Sequence, residues 1–524
     1  MPVLEGEKVP EDVPATVQGE VVKGASDGVE AKQSAGASAG AESAEEEQEP
    51  SRLMLVLLCA VSALEGADTA LLPAVMFALQ KNVGLHFTDL AYLSLAQTVC
   101  TNIAAPLWGI IADRGCLKRR TILIAGALSQ GVITVALGIT TGNLGPVVVP
   151  MVVLRALEGF ALAALRPISN GIIADATSEG RRGKIFGRVQ SSLLLGMFIS
   201  GMIATPLSNQ TICGLAGWRV AFCLCGCLAL IVACLVALFL VEPPRDESAA
   251  GPGRSGFGAV LDELSDLLRF FTIPTFGVMI MQGIFGTIPW SVMGNMTLFF
   301  QLTGLSDSQA AILTGEQAVT GAFGNLLGGL VADALARRFG LHGRPLNAQI
   351  TVSVGLPLIF LIFMGVPPGS GTFVVYFFLI AGFGLLGSWA QSGTNFPILS
   401  EIVPASARSR VMAWECALEN SIANALGPPV VALLATKCFG YTFGEDEEGE
   451  GVSIESAVAL GKAMTAVICV PWLVCLAAYS LLHWSYPRDV QRLAEQQRQQ
   501  QKVAASGGVS LEEVGGKEAE TVDI

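Results

Sequence analysis

The chain has 524 residues, of which 52% are hydrophobic and only 14% are charged, and its formal net charge at pH 7 is −13. Soluble globular proteins carry about 25% charged residues, so this composition excludes an ordinary soluble domain and indicates a polytopic membrane protein. Much of the acid lies in the two ends of the chain and at residues 445–448, and the basic residues fall in short loops, so nucleic-acid binding is not expected.

Residues 1–51 are rich in Glu, Ala, Gly and Ser, a composition typical of a disordered acidic tail. No basic stretch precedes a short apolar region there, so we expect no cleaved signal peptide. The chain has three histidines, and neither a phosphate-binding glycine loop nor a Ser-His-Asp pattern is evident. We therefore expect no enzymatic activity, no cofactor and no metal site.

Twelve apolar segments follow, each long enough to cross a hydrocarbon core of ~30 Å, which takes about 20 residues. Segments one to six form a predicted bundle over residues 52–241 and are Leu53–Ala78, Leu90–Ala112, Thr121–Thr141, Val147–Ala174, Ile185–Leu207 and Ala221–Val241. Segments seven to twelve form a second predicted bundle over residues 273–483 and are Ile273–Leu302, Gln309–Ala332, Ile350–Val366, Phe373–Leu399, Val411–Ala435 and Ala457–Leu482. We predict an all-α membrane fold of two pseudo-symmetric six-helix bundles, with a tail at 484–524.

The region 242–272 separates the two predicted bundles and contains an amphipathic stretch. This pattern predicts a short helix lying along the cytoplasmic membrane surface. Its apolar face would carry Phe257, Val260, Leu261, Leu264, Leu267, Leu268 and Phe271.

Positive charge follows the even-numbered segments, as in Lys118, Arg119 and Arg120 after segment two, while the odd-numbered loops carry little. Cytoplasmic loops of membrane proteins are enriched in Lys and Arg. We therefore predict that the even-numbered loops and both termini are cytoplasmic.

The two predicted bundles contain matching patterns. Gly109-x-x-x-Asp113 ends segment two and Gly329-x-x-x-Asp333 ends segment eight, and arginines follow each pattern. Internal repeats of this kind are common in secondary transporters, whose substrate site lies between the repeats.

These motifs resemble a known family. The stretch from Gly109 to Arg114, with basic residues behind it, resembles the loop 2–3 signature of the major facilitator superfamily, and Arg155-Ala-Leu-Glu158-Gly159 resembles its segment-four signature. The resemblance covers about residues 52–485 and implies transport by alternating access. Shorter stretches are similar to the plant and protist branch near the spinster-like lipid transporters, namely Glu65-Gly-Ala-Asp68, Gly217–Phe222 and Phe396–Arg410.

The family resemblance also implies a cytoplasmic gate. Asp113 would meet the positive N-terminal end of segment eleven and stabilise the state closed to the cytoplasm, and Asp333 would be its counterpart facing segment five. The implied gate residues are Asp113, Arg114, Arg119, Asp333, Arg337, Arg408 and Arg410. The alternative is that the charges after segment two only set the topology.

Charges inside the predicted spans select candidate coupling residues, because burying a charge in hydrocarbon costs at least ~2.5 kcal/mol. Glu65 and Asp68 share a face of segment one, and Asp68 and Arg155 fall at similar depth in the membrane. Glu158, one turn from Arg155, is placed to hold its guanidinium. We predict a proton or ion relay in these four residues, and the alternative is a permanent structural ion pair.

Other polar or aromatic residues in the spans are candidates for a substrate cavity. Arg166 near the inner end of segment four either extends to the lipid headgroups or lines an inward cavity that binds an anionic group. The remaining candidates are Gln282, Trp290, Asn295, Glu316, Trp389, Asn395, Glu415 and Glu419.

The sequence thus favours a monomeric secondary active transporter in a lipid bilayer, moving a small organic solute with coupling to protons. The alternatives are a spinster-like lysolipid or sphingolipid transporter, an uncoupled facilitator, and a transport-inactive membrane sensor or scaffold.

Overall fold

A computed structural model describes residues 51–113, 117–140, 148–177, 179–242, 265, 267–404, 407–443 and 454–506. The predicted N-terminal tail up to residue 50, Arg114, residues 445–448 and most of the amphipathic stretch lie outside the described residues. The side chains of Asp113 and Arg410 lie outside them as well.

The N-terminal half is helical apart from one short hairpin. Its elements are α1 (Arg52–Val83), α2 (Phe87–Asp113), α3 (Arg119–Ile139), α4 (Val148–Leu162), α5 (Leu165–Asp175), α6 (Glu179–Ser208), β1 (Thr211–Ile212), β2 (Leu215–Ala216) and α7 (Gly217–Phe239). The strands pair antiparallel, with Thr211 opposite Ala216. Predicted segment four is therefore two helices, α4 and α5.

The C-terminal half repeats the pattern with more interruptions. Its helices are α8 (Pro274–Val292), α9 (Met296–Leu302), α10 (Asp307–Phe339), α11 (Gly343–Phe360), α12 (Phe373–Gly387), α13 (Phe396–Glu401), α14 (Arg408–Leu433) and α15 (Ile454–Ser506). Short 3₁₀ or π turns join several of them, such as Met293–Asn295 between α8 and α9 and Gln391–Asn395 before α13.

Local sequence explains several helix ends. Ser51 caps α1 by accepting a hydrogen bond from the backbone N of Met54, and Gly84 ends α1 at φ 73°, a left-handed conformation that glycine adopts without strain. The start of α3 is capped from elsewhere in the chain. The carboxylate of Glu242, which follows α7, accepts hydrogen bonds from the backbone N of Arg119 at 3.1 Å and of Arg120 at 3.3 Å.

Nine helical stretches among the described residues are long and apolar enough to cross a membrane, compared with the twelve segments predicted. The difference has two sources. The stretch Asp307–Gly365 counts once although it contains both α10 and α11, and the long helices α2 and α14, in which some side chains lie outside the described residues, are not among the nine.

Each half packs through its own helix pairs, α1 with α6, α3 with α7 and α2 with α4 in the first half, and α8 with α15 and α10 with α12 in the second. Glycines allow the closest approach: a Cβ on Gly66 would overlap the carbonyl oxygen of Leu193, and one on Gly196 would overlap that of Ala63. Helices α1 and α6 therefore touch backbone to backbone. The halves meet through α2 with α14, α6 with α10 and α1 with α9.

Two predicted segments can be compared in part with the structure. Helix α15 continues to Ser506, and Ser485, Tyr486 and Asp489 are buried, so packing extends beyond the predicted start of the tail at 484. In the visible end of the amphipathic stretch, Leu267 is buried, whereas Leu268 is 62% exposed. Phe271 is also exposed, and the helix along the membrane surface stays a prediction.

Candidate functional site

A buried charge cluster joins α1 and α4. Asp68 and Arg155 are each 1% exposed, and Asp68 Oδ2 lies 3.8 Å from Arg155 Nη1. Glu158 is fully buried, and its Oε2 accepts a hydrogen bond from the same Arg155 nitrogen at 2.7 Å. The structure thus brings together three of the four residues predicted to form the relay.

Neighbouring helices complete this cluster with residues that the sequence did not single out. Gln97 on α2 donates from Nε2 to Asp68 Oδ2 at 2.8 Å, and Thr134 on α3 donates from Oγ1 to Glu158 Oε1 at 2.6 Å. The guanidinium carbon of Arg155 lies 5.4 Å from the ring centre of Phe222 on α7. Five helices, α1, α2, α3, α4 and α7, therefore meet at the three charges.

The charges in this cluster do not balance when all three groups are ionised. Two carboxylates and one guanidinium leave 2 − 1 = 1 negative charge in excess. Asp68 Oδ1 and Arg155 Nη2 are buried and have no hydrogen-bond partner among the described residues. Because an uncompensated buried charge is costly, the arrangement can take up one proton and become neutral.

Glu65 does not join this cluster, in contrast to the single relay predicted. Its Oε1 pairs with Arg166, at 2.7 Å from Nη2 and 2.9 Å from Nε. The pair lies in a cavity of about 300 Å³ formed by α1, α5 and α6, which also presents Ser62, Asn170 and Gln190. The Arg166 side chain remains 58% exposed.

In the C-terminal half, the structure brings together three of the predicted cavity residues. Glu415 and Glu419 lie one turn apart on α14, and the Glu419 carboxylate packs against Gly283, where a Cβ would overlap it. The adjacent Gln282 on α8 is 1% exposed.

The other predicted cavity residues are dispersed. Asn395 Oδ1 accepts a hydrogen bond from Tyr479 at 3.0 Å, and Asn295 Nδ2 donates to the carbonyl of Val292. Trp389 is 8% exposed and packs against Gly328, so it fills the contact between α10 and α12.

Two further candidates have partly exposed surroundings. Trp290 is 40% exposed, and its ring centre lies 5.9 Å from that of Phe383 and 6.5 Å from that of Trp472. Glu316 is half-buried, and neither of its carboxylate oxygens has a hydrogen-bond partner among the described residues.

The predicted gate residues have partners within their own half. Asp333 Oδ1 lies 3.6 Å from Arg344 Nη1, and Arg344 Nε lies 3.4 Å from Glu401 Oε1. Tyr486 donates a hydrogen bond to Glu401 Oε2. Asp333 thus pairs with Arg344 in this structure. The short turn between α10 and α11 places the arginine beside the aspartate. The contact of Asp333 with segment five stays a prediction for the state closed to the cytoplasm.

The remaining gate residues lie near the same end of the helices. Arg408 donates from Nε to the carbonyl of Ser400 at 2.9 Å, and Arg337 is exposed in the last turn of α10. Arg119 starts α3, where its backbone N meets Glu242. Asp113, Arg114 and Arg410 cannot be compared with the prediction because their side chains lie outside the described residues.

Polar contacts between the two halves lie at the opposite end of the helices, and we call them the outer latch. Tyr441 donates its hydroxyl to Gln80 Oε1 at 2.9 Å, and Asn209 Nδ2 donates to Asp307 Oδ1 at 2.8 Å. Burial raises the pKa of Tyr441 above its usual value, so its hydroxyl remains a donor. The ring of Phe77 packs edge-on against that of Phe443 beside them.

The fold and motifs match a known family. A family model described as Major Facilitator Superfamily matches residues 58–428 of the chain. The chain belongs to the Major Facilitator Superfamily. The family predicted from the motifs is therefore confirmed, and this superfamily member is an integral, multi-pass membrane protein that acts in transport.

Individual relatives of this superfamily member are distant. A Cupriavidus pinatubonensis protein named "Probable 4-methylmuconolactone transporter" is 25% identical over 419 residues, which cover 75% of this chain and 90% of that protein. The "Staphyloferrin B transporter" of Staphylococcus aureus is 30% identical over 141 residues, 26% of this chain and 32% of that protein.

Solved structures share the fold. A bacterial homologue of the human lysosomal transporter Spinster, in an inward-facing and occupied conformation, has a TM-score of 0.68 and 19% identity, covering 83% of this chain and 97% of that one. A D-xylose-proton symporter has a TM-score of 0.60 and 18% identity, with the same coverage of 83% and 97%.

Proposed function

We propose that this Major Facilitator Superfamily protein is a secondary active transporter that moves a small organic solute by alternating access, driven by protons. The observation that carries the proposal is the buried cluster of Asp68, Arg155 and Glu158, in which two carboxylates share one guanidinium. Intramembrane charges are expensive to keep, so their presence favours a functional role.

Twelve membrane crossings with both termini in the cytoplasm fit this function. The nine apolar stretches become twelve when α10 and α11 are counted separately and when α2 and α14 are added. Helices α2 and α14 contact each other across the two halves, as expected for helices that line a central pathway.

The contacts between the halves support a state that is open towards the cytoplasm. Gln80 lies near the last turn of α1, and Asp307 is the first residue of α10. With cytoplasmic termini, the outer latch therefore lies on the side away from the cytoplasm. Opening of this latch and closure of the opposite end would expose the solute site to the other side of the membrane.

Proton uptake would couple to access through Arg155. When the cluster holds one proton, a single carboxylate balances the guanidinium, whereas loss of the proton leaves Asp68 and Glu158 competing for it. The contact between α1 and α4 therefore depends on the proton. A change in that contact is the step by which protonation would bias the two states.

The cavity around Glu65 and Arg166 is where we place the polar end of the solute. Its volume of about 300 Å³ suits a small molecule, and the exposed guanidinium suits an anionic group. The relatives named for 4-methylmuconolactone and staphyloferrin B support an organic solute. Glu65 would release Arg166 when the solute binds.

The test is reconstitution of the full chain into proteoliposomes with a library of organic acids, sugars and lysolipids, with and without a pH gradient. We expect gradient-dependent uptake of an organic anion. Equal uptake without the gradient would indicate an uncoupled facilitator. Lysolipid flux would instead support the spinster-like alternative, and no flux of any solute would favour a sensor or scaffold.

A further inference from the structure

The C-terminal half contains a second pair of buried carboxylates, Glu415 and Glu419, which are 0% and 4% exposed. They lie four residues apart on α14 and therefore on the same face of the helix. Among the described residues, no lysine or arginine forms an ion pair with either of them. This pair differs in that respect from the N-terminal cluster, where Arg155 supplies the positive charge.

Two ionised carboxylates side by side in a membrane-buried site, without a cation, are strongly unfavourable. Neighbouring carboxyl groups avoid this cost by keeping a proton between them. The contacts of the pair fit a group that donates as well as accepts. Glu415 Oε1 is buried and has no hydrogen-bond partner among the described residues, and Oε2 accepts a weak hydrogen bond from the Cys416 thiol at 3.4 Å.

A separate observation on α8 points to the same place. Gln282 is 1% exposed, and its Nε2 has no acceptor among the described residues, although its Oε1 accepts from Cys475 Sγ at 3.8 Å. The next residue, Gly283, forms the surface on which the Glu419 carboxylate rests. The stretch of α8 on which Glu419 packs thus also carries a buried amide donor without an acceptor, a group of the kind that can stabilise a carboxylate left charged after one proton is bound.

We propose that Glu415 and Glu419 form a proton-binding pair in the C-terminal half, separate from the cluster of Asp68, Arg155 and Glu158. One proton is held between the two carboxyl groups, and the unpaired Nε2 of Gln282 is a donor available in the same region of α8. The proton site exists whether or not the chain transports a solute. Its use as a second coupling site rests on the proposed transport function.

The test is infrared spectroscopy of the purified full chain in lipid nanodiscs, which detects the C=O stretch of a protonated carboxyl group. At neutral pH, we expect a band that disappears in both Glu415→Gln and Glu419→Gln. The matched control is Glu495→Gln, on the exposed surface of α15, which should leave the band unchanged. Asp68→Asn should remove only the separate absorption of the other site and leave in place the band that the Glu415→Gln and Glu419→Gln variants lose.

Three outcomes would overturn the proposal: no such band in the wild type at neutral pH, a band of unchanged intensity in both glutamine variants, or loss of the band when Na⁺ or Zn²⁺ is added at constant pH. The last would instead indicate a metal site, since ligand atoms of Glu415, Cys416 and Glu419 all lie within 4.8 Å of one another. If one variant fails to fold, the other variant and a pH titration of the wild-type band decide. If the band behaves as expected but the reconstituted chain carries no solute flux, the proton site stands and only its role in transport is refuted.

Discussion

Replacement of Asp68 by asparagine tests the coupling mechanism most directly. Asparagine has nearly the same shape, and its side-chain oxygen can still accept the hydrogen bond from Gln97. The charge of the cluster changes, however, from one excess carboxylate to a balanced pair of Glu158 and Arg155. In the variant, the cluster is therefore neutral without a proton, and we expect no proton to bind at this site near neutral pH.

The size of the effect follows from that charge count. One proton moving through a gradient of one pH unit supplies about 1.4 kcal/mol, which corresponds to about tenfold in the concentration ratio of the solute. We therefore expect Asp68→Asn to lower gradient-driven accumulation by about tenfold for each unit of gradient. Solute exchange without a gradient should continue, because the cavity around Glu65 and Arg166 is unchanged.

The assay compares wild type, Asp68→Asn and the surface variant Glu495→Gln in proteoliposomes, first under a gradient of one pH unit and then in counterflow exchange. The surface variant should behave like the wild type in both. If Asp68→Asn retains gradient-driven accumulation, the cluster is a permanent structural ion pair and the coupling argument is wrong. Loss of exchange together with accumulation would indicate damage to the fold.

Three further predictions concern stability and conformation. Gly196→Ala should lower the thermal unfolding temperature measured in detergent, because the new Cβ would overlap a backbone carbonyl oxygen of α1. Arg155→Met should destabilise the fold by about 3–5 kcal/mol in denaturant unfolding, because it leaves two buried carboxylates without a cation. Tyr441→Phe removes the hydrogen bond to Gln80, which is worth about 1 kcal/mol. The ratio of the two states should therefore shift about fivefold towards the state open at that end, as measured from the populations of spin-label distances across the halves.

The first and third of these have a control in the chain. A Cβ on Gly201, in the same helix as Gly196, would meet nothing within 4 Å, so Gly201→Ala should have little effect. Tyr92 is 54% exposed, so Tyr92→Phe should leave the spin-label distances unchanged. Equal effects of variant and control would refute the packing or latch argument, and an Arg155→Met variant as stable as wild type would show that the cluster is already neutral without the arginine.

The proximity of Asp68 and Arg155 could be predicted because the rise per residue of a helix converts residue number into depth in the membrane. Opposite charges at the same depth are then expected to pair, since an unpaired charge in hydrocarbon is costly. The separate pair of Glu65 and Arg166 could not be predicted in this way. A turn divides segment four into α4 and α5 between Leu162 and Leu165, and the periodicity of the apolar residues does not mark it. The signal available in the sequence is Pro167, which has no backbone N–H to bond to the carbonyl of Ala163 and so favours a break in the helix before it. Residues beyond the break therefore face different partners from those that a continuous helix would give them.

The pair of Asp333 and Arg344 was not predicted for a different reason. The contact of Asp333 with segment five stays a prediction for the state closed to the cytoplasm, whereas in this structure the turn after α10 returns Arg344 to the same end of the bundle. A short connection of this kind favours a local ion pair over a distant one. The outer latch was also missed, because Tyr441 and Gln80 are 441 − 80 = 361 residues apart and neither carries a charge to draw attention.

The cap that Glu242 places on α3 has a mechanical consequence for the linker between the halves. By bonding to the backbone of Arg119 and Arg120, this carboxylate fastens the first residue of the linker to a second helix besides α7. A linker attached to one helix end would transmit force to that helix alone. Because Glu242 bonds to α3 as well as following α7, force on the linker is shared between these two helices. A partner or modification acting on the linker would therefore move α3 and α7 together.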